Sequence, residues 1–289
     1  MRNAALQTLA SAVAVLVASS TAQAQARDWA FDFRMIDTMV SVGETMNGVT
    51  TGHAVVSKGR VRLDMKGSPH AISMPRMAVG TGDGVSMIVE DQGKLITYLL
   101  PKERRYMQFK PTEMLKQMQT MMQGMGAAMK FDVSGPEPKL ENLGRGPVIL
   151  GHETVHYRVT TGMKVTMSAM GERETMEMSS ITDQYFARGL GELVDPFSSM
   201  KTIRETSSMF GGANKAYMDK MLALQGRLPK APELRAQQRT TMTRGGLVSN
   251  VRTVREVTKI QRVKAPVDLF VVPAGYTKVD MGPIPPARR

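Results

Sequence analysis

The sequence predicts an α+β fold in which one antiparallel sheet is interrupted by a few helices. Apolar residues alternate with polar residues over several short segments, which is the period of a half-buried strand. Turns that contain glycine join some of these segments in pairs, as in β-hairpins. The period changes to that of a helix over residues 114–129, so a helix separates two groups of strands.

The first 26 residues have the three parts of a secretory signal peptide. Arg2 supplies the positive start, residues 4–18 are largely apolar, and overlapping Ala-x-Ala sites lie at 22–26. The apolar run is shorter than the roughly 20 residues that a membrane-spanning helix needs, which argues against an uncleaved anchor. We therefore expect a periplasmic or secreted protein that is soluble after cleavage of residues 1–26.

The mature chain is expected to form a single domain over residues 27–280, followed by a mobile Pro- and Arg-rich tail at 281–289. The chain has no Cys, which excludes a disulfide framework, a thiol nucleophile and a Cys-linked lipid anchor. Its formal charge of +12 becomes 12 − 1 = +11 when Arg2 is removed. For an exported protein, this charge favours contact with anionic membrane surfaces and argues against nucleic acid as a partner.

The first strands are predicted between residues 29 and 109. Trp29, Phe31 and Phe33 alternate with Ala30, Asp32 and Arg34. Further strands are predicted at residues 54–57, 60–65, 85–89, 95–100 and 105–109. Lys58-Gly59 has the composition of a hairpin turn, and the last three of these strands suggest an antiparallel meander.

The later elements are predicted from similar patterns. We expect helices over Asp195–Ile203 and Asn214–Leu224, because the first has Asp as a cap followed by Pro and the second has an apolar stripe. Residues 227–235 contain two prolines and are interpreted as a linker or an edge loop. Residues 247–263 are rich in Val and Thr, which favours a strand with a bulge over a helix.

Methionine is the unusual residue, with 26 copies in 289 residues. One set shares a face of the helix predicted over 114–129: Met114, Met118, Met121, Met122, Met125 and Met129. A second set lies on the inward positions of a predicted hairpin: Met163, Met167, Met176 and Met178. Apolar periodicity is compatible with two walls of a ligand pocket and also with a closed core, so both interpretations stay open.

Residues 152–156 spell His-Glu-x-x-His, a spacing that holds zinc when it lies on a helix. The neighbouring Thr and Val residues favour a strand, on which Glu153 would face away from His152 and His156. A zinc metallopeptidase is therefore a weaker alternative. Met-rich copper handling is another alternative, because thioethers suit Cu(I) and because Met74 and Met77 lie near His70.

Several short stretches resemble a known group of proteins. They are residues 57–64, 87–94, 98–106, 151–157 and 269–276. Together they resemble exported bacterial proteins of the domain-of-unknown-function 4412 group, and are more distantly similar to the periplasmic lipoprotein carrier and receptor proteins LolA and LolB. The resemblance implies a curved, half-barrel antiparallel sheet with a few helices packed on its concave face, and an apolar cavity that receives acyl chains in the carriers. It also implies that residues 151–157 form a strand.

We therefore predict an exported, non-enzymatic protein without a cofactor that binds an apolar or amphiphilic ligand, such as a lipid or an acylated peptide. The predicted ligand-binding residues are Met114, Met118, Met121, Met122 and Met125 on one wall and Met163, Met167, Met176 and Met178 on the other. Because a Cys-linked anchor is impossible, a carrier or binder is expected in preference to an anchored receptor.

Overall fold

A computed structural model describes residues 28–67, 84–113, 129–169, 172–190 and 215–279, and all structural statements concern these residues. The predicted signal peptide, the helix predicted over Asp195–Ile203 and the predicted tail lie outside them. Residues 111–113 have helical backbone, and the remainder of the predicted methionine helix up to residue 128 also lies outside the described residues.

The described residues form a mostly-β structure. The strands are β1 (Asp28–Ser41), β2 (Glu44–Ser57), β3 (Arg60–Gly67), β4 (Val85–Glu90), β5 (Leu95–Leu100), β6 (Arg105–Phe109), β7 (Met129–Ser134), β8 (Lys139–Arg145), β9 (Thr154–Ala169), β10 (Glu172–Ala187), β11 (Glu233–Arg244), β12 (Leu247–Val263) and β13 (Thr277–Lys278). Helix α1 spans Lys215–Gly226, and short 3₁₀ turns lie at Asp91–Gly93 and Val267–Phe270.

All of these strands belong to one curved sheet. Its order is β13-β6-β5-β4-β3-β2-β1-β12-β11-β10-β9-β7, and β8 pairs with the same strand, β9, as β7 does. Neighbouring strands are antiparallel, apart from the short parallel pair of β13 with β6. Within the described part of the chain no pairing joins the two ends of this order, so the sheet stays open.

Two hairpins are closed by two-residue turns with positive φ angles, the predicted turn at Lys58-Gly59 and a second at Gly245-Gly246. Lys58 and Gly59 join β2 to β3 with φ angles of 46° and 78°. Two successive positive φ values define the turn whose twist matches that of the flanking strands. Gly245 and Gly246 close the β11–β12 hairpin with φ angles of 56° and 80°, in the same way. These short turns bring sequence-adjacent strands side by side and fix their register.

The larger apolar core lies on one face of the sheet, which we call the inner face. Direct cross-strand partners share a face, and Phe31, Ala54, Leu63 and Met87 are consecutive partners across β1, β2, β3 and β4. All four are buried. The core continues through other buried residues: Phe33, Val56, Val61, Met65, Val85, Val89, Ile96, Ile149, Ala187, Leu234 and Val257.

The opposite, outer face of β1–β6 is covered by the C-terminal segment, residues 265–278. Phe270 is buried there against Ala30, Val55 and Ile88, and the Arg60 guanidinium lies 4.6 Å from the centre of its ring. The segment ends as β13 beside β6, where the Thr277 amide donates to the Arg104 carbonyl at 2.8 Å. The chain itself therefore covers the outer face of this half of the sheet around Ala30, Val55 and Ile88.

Most predicted strands are confirmed. The β2–β3 hairpin, the meander of β4, β5 and β6, the β9–β10 hairpin and the long strand β12 all form, and the register of β12 with β1 shifts between Asp32 and Phe33, as expected for a bulge. The helix predicted over Asn214–Leu224 is confirmed as α1. The LolA/LolB-like half-barrel with helices on its concave face stays a prediction.

Two boundaries were wrong. Met129 begins β7 and does not end a helix, because Met129, Phe131 and Val133 alternate with polar residues over Met129–Ser134. The linker predicted over 227–235 ends early, since β11 begins at Glu233. The sequence of β11 does not show an alternation of apolar and polar residues, because several of its inner-face positions carry polar residues.

Candidate functional site

Methionine side chains form a band across the inner face, beyond the apolar core. Met163, Met178 and Met242 are direct partners across β9, β10 and β11. Met39 and Met46 are direct partners across β1 and β2. Val251 of β12 connects the two groups, because it is the direct partner of Met39 and lies diagonal to Met242. We call these six residues the methionine band.

The band is accessible, unlike the core methionines. Met46 is 36% exposed and the other band residues are half-buried, whereas Met65 and Met87, on the same face, are 2% and 1% exposed. Long, flexible thioether side chains adapt to irregular apolar surfaces at little conformational cost. A band of this kind can therefore accept an apolar molecule without a fixed shape.

The structure brings together part of the predicted site. Met163 and Met178 face each other, as the hairpin prediction requires. Met176 lies one row further along the same face, between Val165 and Arg244, and Met167 lies opposite Glu174. The other predicted wall, Met114, Met118, Met121, Met122 and Met125, lies outside the described residues.

Sequence reasoning missed three of the five methionines in the band. Met39 continues the alternation of Trp29, Phe31 and Phe33, and following that period to the end of β1 would have found it. Met46 and Met242 stand among polar neighbours on β2 and β11, so no apolar pattern surrounds them. Only the strand register shows that Met46 and Met242 belong to the band.

A row of five direct cross-strand partners, which we call the polar row because three of them are polar, crosses the inner face between the core and the band. Its members are direct partners across β10, β11, β12, β1 and β2: Gln184, Ala236, Arg255, Met35 and Thr50. Glu233, at the start of β11, is 1% exposed and accepts hydrogen bonds from Gln184 Nε2 at 2.5 Å and from Arg255 Nη2. The row therefore holds a buried ion pair, which costs desolvation energy unless its hydrogen bonds are well made.

More polar side chains line the inner face between this row and the band. Gln238 Nε2 donates to Ser180 Oγ at 3.1 Å, and Thr240 Oγ1 donates to the same oxygen at 3.1 Å. Thr253 Oγ1 donates to Asp37 Oδ1 at 2.6 Å. The accessible part of the inner face is thus amphiphilic, with hydroxyl and amide groups next to thioethers.

The end of the His-Glu-x-x-His motif lies in β9, as its composition predicts, but the strand expected over residues 151–157 begins only at Thr154 and the motif starts in the turn before it. His152 exchanges two backbone hydrogen bonds with Ile149 in a turn, and His156 lies in β9. Glu153 forms an ion pair with Arg145, with 2.7 Å between Oε1 and Nη2. This is not the helical geometry in which the motif holds zinc. The described residues contain no group of three or more His, Asp or Glu side chains placed to bind a metal ion.

His156 belongs to a polar cluster on the outer face of β9 and β10. Its Nε2 lies 2.7 Å from Asp183 Oδ1, and Arg158 Nε donates to the same oxygen at 2.9 Å. The His156 ring also stacks on Tyr185, with 4.5 Å between ring centres. Burial acts to raise the pKa of Asp183, but the hydrogen bonds from Arg158 and His156 outweigh it and lower that pKa. The cluster ties β9 to β10 through charged hydrogen bonds.

Helix α1 is tied to the middle of β9. The Tyr217 hydroxyl donates to the Gly162 carbonyl at 2.8 Å, and burial raises the pKa of Tyr217. Gly162 also lies against Pro136, since an added Cβ would come within 2.7 Å of Pro136 Cγ. Among the described helices none has the length and apolar character required to span a bilayer.

Comparison with known proteins identifies no family. No family profile and no curated protein matches this sequence. Solved structures to which this chain is loosely similar include a putative outer membrane lipoprotein-sorting protein domain from Vibrio parahaemolyticus, with 8% identity and a TM-score of 0.27 over 84% of this chain and 89% of that one. Another is a DUF1329 family protein from Desulfovibrio piger, with 9% identity and a TM-score of 0.26 over 85% and 90% of the two chains.

A larger structure also overlaps with this chain. PNGF-II shares 11% identity and a TM-score of 0.32 over 86% of this chain, which spans 31% of the length of that protein. These similarities are loose and assign no function to this chain.

Proposed function

We propose that this protein is a non-enzymatic, exported binding protein for an apolar or amphiphilic ligand, such as a lipid or an acylated peptide. The ligand lies along the methionine band on the inner face of the open sheet. The observation that carries this proposal is the contrast between the band, which is half-buried or exposed, and the closed apolar core on the same face. Soluble proteins rarely leave a contiguous apolar surface uncovered unless something binds it.

The composition of the band supports a ligand of variable shape. Six neighbouring side chains, five of them thioethers, provide a deformable apolar surface with few fixed contacts. The hydroxyl and amide groups beside the band provide partners for a polar end of the ligand. An acyl chain with a small polar group has both properties.

The charge of the protein supports contact with an anionic membrane surface as the source or destination of the ligand. With 38 Lys+Arg against 26 Asp+Glu, the chain is attracted to acidic head groups, and salt screens such attraction. Co-sedimentation with vesicles that contain anionic lipid should therefore weaken between 0.05 M and 0.5 M NaCl. Equal sedimentation with neutral vesicles would contradict this part of the proposal.

The direct test is titration of the purified exported chain with pyrene-labelled dodecanoic acid. Saturable binding is expected, and native mass spectrometry should show copurified lipid. Met178→Asp places a charge in the band and should weaken binding about tenfold or more, because the carboxylate would lose hydration beside the ligand. Ile181→Asp is the matched control, since Ile181 lies exposed on the other face of the same strand.

The outcomes of this titration are distinct. Equal weakening by both variants would show that the probe does not use the band. A clean apo protein that ignores the probe would mean that the methionines only complete a core.

A second candidate function is Cu(I) binding, which is favoured by the register that places Met163, Met178 and Met242 side by side. Competition against a Cu(I) chelator tests it. Met178→Leu should remove tight copper binding but keep binding of the pyrene-labelled acid, so this variant separates the two functions. Wild-type affinity no greater than that of free methionine would reject the copper function.

A further inference from the structure

The polar row contains a buried acceptor that no described residue satisfies. Gln184 is 6% exposed, and its Nε2 group donates to Glu233. Because a carboxylate only accepts hydrogen bonds, this contact fixes the orientation of the amide and leaves Oε1 as the free atom. Within the described part of the chain, Gln184 Oε1 has no hydrogen-bond partner.

The other end of the row has the same property. Thr50 is 0% exposed, and its Oγ1 atom also lacks a partner among the described residues. A buried polar atom left unpaired costs about 1–3 kcal/mol, so native proteins contain few of them. Two such oxygens in one row of direct partners indicate a site that is completed by another molecule.

The position of the row matches the polar end of the proposed ligand. Gln184 and Met178 lie on the same face of β10, six residues apart, which is roughly 20 Å at the rise of an extended strand. Met35, in the row itself, leads along β1 towards Met39 of the band. An extended acyl chain can therefore reach the band from a polar group held at the row.

From these observations we propose that the polar row is a head-group site, in which Gln184 Oε1 accepts a hydrogen bond from a hydroxyl or amide N–H group of an amphiphilic ligand. This inference rests on the proposed function and specifies its ligand. The donor must come from the ligand because Oε1 can only accept. A ligand whose polar end carries only ether or ester oxygens cannot make this bond.

The ion pair explains why the acceptor is held in place. Glu233 takes a hydrogen bond from Gln184 on one side and from Arg255 on the other, so the amide cannot rotate without breaking a buried charged contact. A preorganised acceptor loses little conformational entropy when it binds a donor. The site therefore selects for the chemistry of the head group, while the methionine band tolerates varied chains.

Displacement of a bound pyrene-labelled alkane by 1-dodecanol and by methyl dodecyl ether tests this inference. The two competitors have similar chains, but only the alcohol donates a hydrogen bond. The wild-type chain should favour the alcohol by about fivefold, which corresponds to one hydrogen bond of ordinary net strength. Gln184→Met, close in volume and without the amide acceptor, should remove this preference while the ether binds as before.

The matched control is Gln237→Met, because Gln237 is half-buried on the opposite face of β11, and it should keep the preference of the wild type. Equal affinities for alcohol and ether in the wild type and in Gln184→Met would overturn the head-group site while leaving the proposed function intact. Failure of the pyrene-labelled alkane to bind would instead reject the proposed function. If Gln184→Met does not fold, the ratio of the alcohol affinity to the ether affinity in the wild type tests the inference by itself. Tighter binding of the ether would then overturn it.

Discussion

The two halves of the inner face use the same residue type in different ways. In the β1–β6 half, Met65 and Met87 are closed in by Phe31 and Leu63 and are almost fully buried. Towards β9–β11, Met163 and Met178 keep part of their surface accessible beside buried polar groups. The core of the β1–β6 half ends before Met39 and Met46, which belong to the band, so closed and accessible methionines are separated along the strands as well as across the sheet. Residue type and face alone do not distinguish a core from a binding surface.

The outer face explains part of this difference. Behind the β1–β6 half, the C-terminal segment places Phe270 against the sheet. Behind the band, the outer face of β9 and β10 carries charged pairs, such as Arg158 with Asp183 and Lys164 with Glu177. One half of the sheet is thus stabilised by apolar packing on both faces, and the other depends more on hydrogen bonds and ion pairs.

The largest expected effect comes from breaking the buried ion pair beside the accessible half. Glu233→Ala removes the buried carboxylate that accepts a hydrogen bond from Arg255 and should lower the free energy of unfolding by about 3–5 kcal/mol in urea denaturation. Glu256→Ala is the control, because its pair with Arg235 is partly exposed and should cost about 1 kcal/mol or less. Equal losses in the two variants would contradict the buried position of Glu233.

Truncation of one apolar side chain in the closed core and one in the band should lower the free energy of unfolding by different amounts. Leu63→Ala removes a fully buried side chain and should cost about 2–5 kcal/mol. Met178→Ala removes a half-buried side chain and should cost about 1 kcal/mol, a typical value for a substitution outside a closed core. Thermal and urea unfolding measure both, and a larger loss for Met178→Ala would show that the band is closed.

The polar cluster behind the band predicts a dependence on pH. The pKa of Asp183 is lowered in the folded chain, so its contribution to stability is present above the unfolded value near 3.8 and is lost as pH falls through the folded value. Asp183→Asn should cost about 1.5 kcal/mol at pH 7 and progressively less below pH 4. Urea denaturation at several pH values checks this, and a constant difference between wild type and variant would contradict it.

The smallest expected effect is an increase in stability. Thr50→Val replaces a buried hydroxyl that has no partner among the described residues by a methyl group of similar size, and should raise the free energy of unfolding of the unliganded chain by about 1 kcal/mol. Thr51→Val, on the exposed next position of β2, is the control and should change little. A loss of stability in Thr50→Val would mean that the hydroxyl is already satisfied in the unliganded protein.

The sequence predicts strands well where one face is apolar. Val61, Leu63 and Met65 alternate with charged residues, and the alternation directly gave the β2–β3 hairpin. The alternation of apolar and polar residues is absent from β11, where inner-face positions include Gln238 and Thr240, because a face with polar side chains has no hydrophobic period. The weakness of the sequence pattern there has the same physical cause as the amphiphilic character of the candidate site.

The candidate site was predicted only in part for a different reason. Met163 and Met178 come from one hairpin, so a local pattern was enough to pair them. The buried row requires Gln184, Glu233 and Arg255, which lie on three strands and are separated by 49 and 22 residues in the chain. Only the order of β10, β11 and β12 in the sheet brings these polar side chains together.

The central claim is that the methionine band is open to ligand while the core methionines are closed. Methionine methyl groups labelled with ¹³C report both sets in one NMR titration with 1-dodecanol, once Met163, Met178, Met242, Met65 and Met87 are assigned by single substitution. Saturable chemical-shift changes are expected at Met163, Met178 and Met242, with Met65 and Met87 unchanged. No saturable shift at the band, or shifts confined to Met65 and Met87, would contradict the account.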